Sequence, residues 1–162
     1  MTVIQLDNCL LRKWNVSDFE ALADIEYDPI VKEFLGIPKR LREVFVSSTV
    51  DDLRGWAIEA KPEGILAGRA AIIKPRDIDY PIGTGELEIV IAKQFWQRGI
   101  GRQVSKRLID DFFSDPRGLM VIAIVHPKNE AIHKLLNSLS FGQDNTYSNH
   151  DHLVFVLNRL SY

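Results

Sequence analysis

Cysteine is almost absent from this sequence: Cys9 stands alone among 162 residues, so no intramolecular disulfide can form and no cysteine cluster can build a zinc site. Its expected place is a half-buried strand position, with no neighbour in the sequence that marks it as an activated nucleophile. Long apolar runs are missing too, since none approaches the roughly 18 residues that a bilayer span needs. The opening MTVIQLDNCLLRKW has neither the basic head nor the apolar stretch of a signal peptide, so the expectation is a cytoplasmic protein with no membrane partner. Nor is there an excess of one charge. With 22 acidic against 20 basic groups the net charge is −2, which offers no bulk attraction to nucleic acid and leaves only a local basic patch open. Ten glycines and seven prolines are too few for a collagen-like chain, and 46% hydrophobic residues are too many for a disordered one. What is present fits a single domain over 1–162, long enough to bury a core without metal or disulfide staples.

Along the chain, residues 3–12 predict a first strand, and Ser17-Asp18-Phe19-Glu20 predicts a capping box at a helix start. Pro29 ends that helix or opens a second one through Phe34, and Gly36-Ile37-Pro38 breaks it. Residues 39–55 are ambiguous and lean towards a helix ending near Leu53. Trp56–Ala60 and Ile65–Ile73 flank a turn and predict a β-hairpin, followed by a loop over 74–84. Glu86–Ala92 predicts a strand, and Val104, Leu108, Ile109 and Phe112 lay an apolar stripe on the helix after it. Leu119–Val125 has the length and continuous apolarity of a strand buried on both faces. A helix over 129–139 and a strand over 153–157 complete the chain. The unit 86–125 is then a parallel strand–helix–strand crossover within a mixed α/β fold, its sheet covered by helices on both faces.

The chemistry concentrates where Glu86–Ala92 runs into Gln97-Arg98-Gly99-Ile100-Gly101-Arg102 and a helix begins at once. Glycines there allow close backbone approach, and the unpaired amides of a helix start suit a phosphate or pyrophosphate. Arg98, Arg102 and Lys106 recur every four residues and can line one flank of such a site, although a basic stripe is commonly just a solvated helix face. Gly-x-Gly is weak evidence by itself. A Rossmann fingerprint would need Gly or Ala where Val104 stands, and a P-loop would need Gly-Lys-Ser/Thr.

Trp96-Gln97-Arg98-Gly99-Ile100-Gly101 resembles the acetyl-CoA pyrophosphate loop of the GNAT N-acetyltransferases, Gln/Arg-x-x-Gly-x-Gly/Ala, with Trp96 departing at the first position. That Trp is familiar in the branch containing the ribosomal-protein N-terminal (alanine) acetyltransferases. Leu11-Arg12-Lys13-Trp14 with Ser17-Asp18, Asp28-Pro29-Ile30-Val31, Glu86, and His126-Pro127-Lys128-Asn129 followed by Leu135-Leu136 and Phe141 resemble further stretches of that branch, in order across most of 10–142. The resemblance implies a GNAT-like fold, a mostly antiparallel sheet with one parallel strand pair. It implies acetyl-CoA as cosubstrate and direct acetyl transfer to a primary amine, which can be a protein N-terminal α-amine. Pantetheine would pair with the main chain of Ile89, Val90 and Ile91. The pyrophosphate would meet the amides of Gln97, Arg98, Gly99, Ile100, Gly101 and Arg102. Asn129 would contact the cofactor or, more plainly, cap a helix.

Glu86 is the candidate general base, with Glu88 second on the same strand face. Many relatives use a Tyr as general acid where this chain has Leu136, and Ser140 replaces the usual Gly before Phe141. No metal is expected. Other acceptors, namely polyamines, amino acids and aminoglycosides, stay open, as do a non-catalytic acyl-CoA-binding module, a nucleotide-binding protein and a homodimeric assembly. Asp77, Asp79 and the pair Asp51-Asp52 could attract a cationic amine, or simply face solvent.

Overall fold

The computed structural model describes residues 2–35, 55–75 and 79–162. The break at Gly36-Ile37-Pro38, the helix leaning to Leu53 and the acidic candidates Asp51, Asp52 and Asp77 lie outside the described residues. The strands are hydrogen-bonded in one mixed sheet in the order β1 (Ile4–Gln5), β2 (Cys9–Arg12), β3 (Trp56–Ala60), β4 (Ile65–Ile73), β5 (Thr84–Ile91), β6 (Met120–Val125), β8 (Leu153–Asn158), β7 (Gly142–Asp144), and β5–β6 is its parallel pair. By contacts the chain falls into two compact units, Met1–Ala71 with Ile89–Val104, and Ile72–Glu88 with Ser105–Tyr162.

In the first unit the predicted strand 3–12 is two strands, β1 (Ile4–Gln5) and β2 (Cys9–Arg12), antiparallel to each other. Asp7 and Asn8 are turn formers, and the Leu6 N–H closes the bend onto the Cys9 carbonyl at 2.9 Å. β2 pairs with β3 (Trp56–Ala60), which forms the expected hairpin with β4 (Ile65–Ile73). Cys9 is fully buried rather than half-buried, and burial pushes its thiol up to about 11, so it stays a protonated core residue.

Helix α1 (Asp18–Tyr27) starts without the predicted capping box. Ser17 already has helical backbone angles, and a capping residue needs extended ones. Asp18 organises this corner instead. It accepts from the Asn15 N–H at 2.7 Å and from both terminal nitrogens of Arg12 at 2.8 and 2.9 Å, while Arg12 Nε donates to Glu59 at 2.7 Å. Helix α2 (Pro29–Leu35) opens with Asp28 Oδ1 accepting from Ile30 and Val31, and Pro29 fills the first helical position, where its missing N–H costs nothing. Trp14, Leu22 and Ala57 pack as one core cluster with Leu66 against it. Arg69 pairs with Glu26, itself only 5% exposed.

In the second unit the start of β5 (Thr84–Ile91) runs parallel to β6 (Met120–Val125), with Glu86 opposite Ile122. Helix α3 (Ile100–Ser114) connects them, so the crossover expected over 86–125 is present. Its apolar stripe buries Val104, Leu108 and Ile109 as expected, but Phe113 rather than Phe112 is the buried aromatic. Only Val121, Ile122 and Ala123 of β6 are buried in succession. Leu119 and Ile124 are 52% and 42% exposed, so the apolar run is longer than the stretch covered on both faces.

Helix α4 (Glu130–Ser138) precedes β7 (Gly142–Asp144), which the sequence did not suggest, and β8 (Leu153–Asn158). Arg159 donates to the carbonyls of Asp115 and Gly118 at 2.8 and 2.7 Å and to that of Phe113, giving the C-terminal end of α3 the cation its dipole favours.

Candidate functional site

Alternation along β5 slips by one residue. Gly85 and Leu87 are buried between the half-buried Glu86 and Glu88, but the next buried residue is Val90, with Ile89 and Ile91 half-buried. A strict two-residue period would bury residue 89 instead, so the alternation of buried positions shifts by one at Ile89. Its far end is fixed at close range. A Cβ on Gly68 would lie 1.9 Å from the Val90 carbonyl oxygen, so only glycine admits that approach. Beyond it the Ala92 N–H donates to Ala67 at 2.8 Å, and the Trp96 indole Nε1 donates to the Ile91 carbonyl at 2.7 Å.

A short 3-10 turn, Lys93–Phe95, buries Phe95 and leads to two left-handed residues, Gln97 (φ 59°) and Gly99 (φ 75°). The nearest atom to a Cβ on Gly99 would be Asn8 Nδ2 at 3.6 Å, so the left-handed angle, not crowding, calls for glycine at this position. The first i→i−4 bond of α3 runs from the Gln103 N–H to the Gly99 carbonyl at 3.1 Å. The amides of Gly99, Ile100 and Gly101 therefore precede the helical ladder and have no helical acceptor, and the positive end of the helix dipole lies there. This is an arrangement that can receive an anion.

The turn is held by two hairpin bends. Asn8 Nδ2 donates to the Arg98 carbonyl at 2.7 Å, and the Asn8 N–H donates to Gln103 Oε1 at 3.2 Å. The Arg98 guanidinium donates to Glu63 at 2.8 and 3.1 Å and to the Lys61 carbonyl at 2.6 Å, and lies over the Phe95 ring at 5.2 Å. Lys61 joins the bends by donating its N–H to Asn8 at 3.0 Å and its Nζ to Leu6 at 2.6 Å. The expected flank of Arg98, Arg102 and Lys106 is not realised as a row. Arg98 precedes the helix and is engaged on the β3–β4 turn, while Lys106 donates to Asp110 and Tyr162 at 3.0 Å. Arg102 is exposed on the first turn of α3.

Asn129 caps α4, with its Oδ1 accepting from the Ile132 N–H at 3.2 Å. Leu136 is fully buried and has no proton to give. Ser140 takes a left-handed φ of 69°, and the bonds Phe141 N–H to Leu136 and Ser140 N–H to Asn137 close α4 at 3.0 and 3.1 Å. Serine thus keeps the turn that glycine would make. His126 Nδ1 accepts from the Lys128 N–H at 3.2 Å, and the His133 ring packs on Phe155 at 5.5 Å.

The sequence reading missed Asn8, Gln103 and the indole bond of Trp96. Asp7-Asn8 inside a supposed strand was the one available signal, because that pair favours a turn. Among the described residues no three His, Cys, Asp or Glu side chains are grouped to hold a metal, and no helix is long and apolar enough to cross a membrane.

An N-acetyltransferase of Bacillus licheniformis, p20, is 26% identical over 154 residues, covering 89% of this chain and 84% of that protein. The crystal structure of an acetyltransferase from Agrobacterium tumefaciens superposes with a TM-score of 0.78 at 17% identity, covering 98% of this chain and 95% of that one. A spermidine N-acetyltransferase from Vibrio cholerae, solved in complex with CoA and spermine, gives a TM-score of 0.74 at 18% identity, covering 96% and 98%. The family model described as the acetyltransferase (GNAT) domain matches residues 8–141, and this chain belongs to that family of acyltransferase enzymes.

Proposed function

We propose that residues 1–162 act as one catalytic domain that moves an acetyl group from acetyl-CoA to a primary amine. The observation that carries this reading is the turn 96–101, whose two left-handed residues lead into helix amides with no helical acceptor, inside the segment matched by the family model. Those groups fit a pyrophosphate. The main chain of Gln97, Gly99, Ile100, Gly101 and Arg102 would hold it, and Arg98 would contribute its own amide while its guanidinium stays on Glu63. Ile89 and Val90 at the slipped end of β5 would offer the pantetheine arm main-chain groups, and Ile91 its N–H, since its carbonyl already accepts from Trp96. Asn129 would offer the cofactor its Nδ2 donor, while its Oδ1 accepts the capping bond from Ile132.

Acetyl-CoA, when bound, supplies a thioester whose carbonyl carbon the amine nitrogen attacks as the bond to the thiolate breaks. The chain must take a proton from the amine, since alkyl amines hold theirs to pH near 10 and α-amines to near 8. Glu86 is the proposed base, with Glu88 next on the same face of β5. Leu136, fully buried and apolar, carries no proton for the leaving thiolate.

For the acceptor we favour a protein N-terminal α-amine, supported by the stretches at 11–18, 28–31 and 126–141 that resemble that branch. The experiment is thiol release from acetyl-CoA across N-terminal peptides, spermidine, free amino acids and aminoglycosides. Turnover greatest with peptides is expected. Turnover only with small amines would move the acceptor to that class, and binding without turnover on any amine would remove the catalytic reading.

A further inference from the structure

We infer that Asn8 is a positioning residue for the phosphate-binding turn, fixing the direction in which the Gly99 amide is presented. The inference rests on the reading of 96–101 as the pyrophosphate loop. Asn8 lies in the bend between β1 and β2, 90 residues before its partner, and its Nδ2 donates to the Arg98 carbonyl at 2.7 Å. In a trans peptide the carbonyl and the following N–H point to opposite sides of the bond. Holding the Arg98 carbonyl towards Asn8 therefore turns the Gly99 N–H away from Asn8, on a residue that is itself exposed.

Two further bonds hold Asn8 itself in place. The Asn8 N–H is anchored on Gln103 Oε1 at 3.2 Å, and the Asn8 carbonyl accepts from Lys61 at 3.0 Å. Asn8 is thus fixed on both of its main-chain sides while its side chain clamps the turn. Gly99 sits at φ 75° with nothing but Asn8 Nδ2 near the place of a Cβ, so no packing of its own side chain orients it. The clamp supplies the orientation that packing does not. A donor held in place before the ligand arrives costs no ordering on binding.

The test replaces Asn8 by Leu, similar in size but without a donor, and by Ala as a second variant, with thermal midpoints recorded for both. Steady-state KM is measured for acetyl-CoA and for S-acetylpantetheine, which lacks the diphosphate, at a saturating amine. In a folded Asn8→Leu or Asn8→Ala enzyme the KM for acetyl-CoA should rise about tenfold, the scale of one misdirected hydrogen bond to a charged group. The KM for S-acetylpantetheine and the kcat should stay at the parental values. An unchanged KM for acetyl-CoA, or an equal rise for both thioesters, would overturn the role given to Asn8. A parental enzyme that shows no preference for acetyl-CoA over S-acetylpantetheine would instead overturn the pyrophosphate loop, and the inference with it.

Discussion

Trp96 donates its indole Nε1–H to the carbonyl of Ile91 at 2.7 Å, tying the last residue of β5 to the turn that leads into α3. The strand end is the proposed seat of pantetheine and the turn that of pyrophosphate, so this bond sets the spacing between the two. Trp96 is 37% exposed, and water can replace the indole donor in its absence. Trp96→Phe is therefore expected to cost less than about 1 kcal/mol of stability. It should still raise the KM for acetyl-CoA several-fold while leaving that of the amine unchanged. Paired melting and kinetic measurements check it, and a stability loss with no change in KM would make the bond purely structural.

Ser140 offers a stability gain. It holds a left-handed backbone at φ 69° between Leu139 and Phe141, both buried, in the turn that ends α4. A residue with a Cβ gives up roughly 1–2 kcal/mol in that conformation, and glycine does not. Ser140→Gly should raise stability by about 1 kcal/mol, read as a melting midpoint higher by roughly 2–4 °C for a chain of this size. A lower midpoint would mean that the serine hydroxyl earns more than the strain costs.

Asp18 gives a pH signature. Burial alone would raise its carboxyl, but the hydrogen bonds from Arg12 and from the Asn15 N–H, with the charge of Arg12, hold it below the usual carboxylate range. A folded-state value below the unfolded one of about 3.9 adds stability above that pH and loses it as pH falls through the folded value. Asp18→Asn should therefore be clearly less stable than the parent at neutral pH, and the gap should close below about pH 4. Denaturant midpoints for both proteins between pH 3 and pH 7 test this. A gap of constant size would place the contribution of Asp18 outside its charge.

The strand–turn–helix at 84–114 was legible because its signals are local: two glycines, an apolar stripe at helical spacing and a preceding β-rich run. The hairpin over 56–73 was legible for the same reason. What failed depended on distant partners. Ser17 was a sound cap by local rules, but Arg12, held against Glu59 from another strand, recruits Asp18 instead. The bend at Leu6–Asn8 was hidden because apolar residues continue on both sides of it. Asn8 looked like an ordinary polar position, since its partner Arg98 is 90 residues away and is met through its carbonyl, which no side-chain pattern reveals. Leu136 was legible as a missing proton donor and, by its spacing with Ile132 and Leu139, as part of the apolar face of its helix, where it is fully buried.

Glu86 is the point at which the proposed chemistry is most exposed to test. If it takes the proton from the amine, Glu86→Gln should lower kcat by roughly a hundredfold or more, the usual scale for loss of a general base. Raising pH should recover part of the rate, because more of the amine is then already neutral. Affinity for acetyl-CoA should hardly change. A Glu86→Gln enzyme with the parental rate and pH profile would return Glu86 to an ordinary half-buried strand carboxylate and direct the search to Glu88.

The measurement closest to the central claim is calorimetric titration of acetyl-CoA into the parent protein and into Gly101→Val, with melting curves for both. Gly101 lies in the first turn of α3, where its amide has no helical acceptor. A β-branched side chain there should obstruct a pyrophosphate while disturbing the helix little. The account predicts binding by the parent, affinity lower by at least about tenfold in Gly101→Val, and melting midpoints that agree closely. Equal affinity in two equally folded proteins would contradict it.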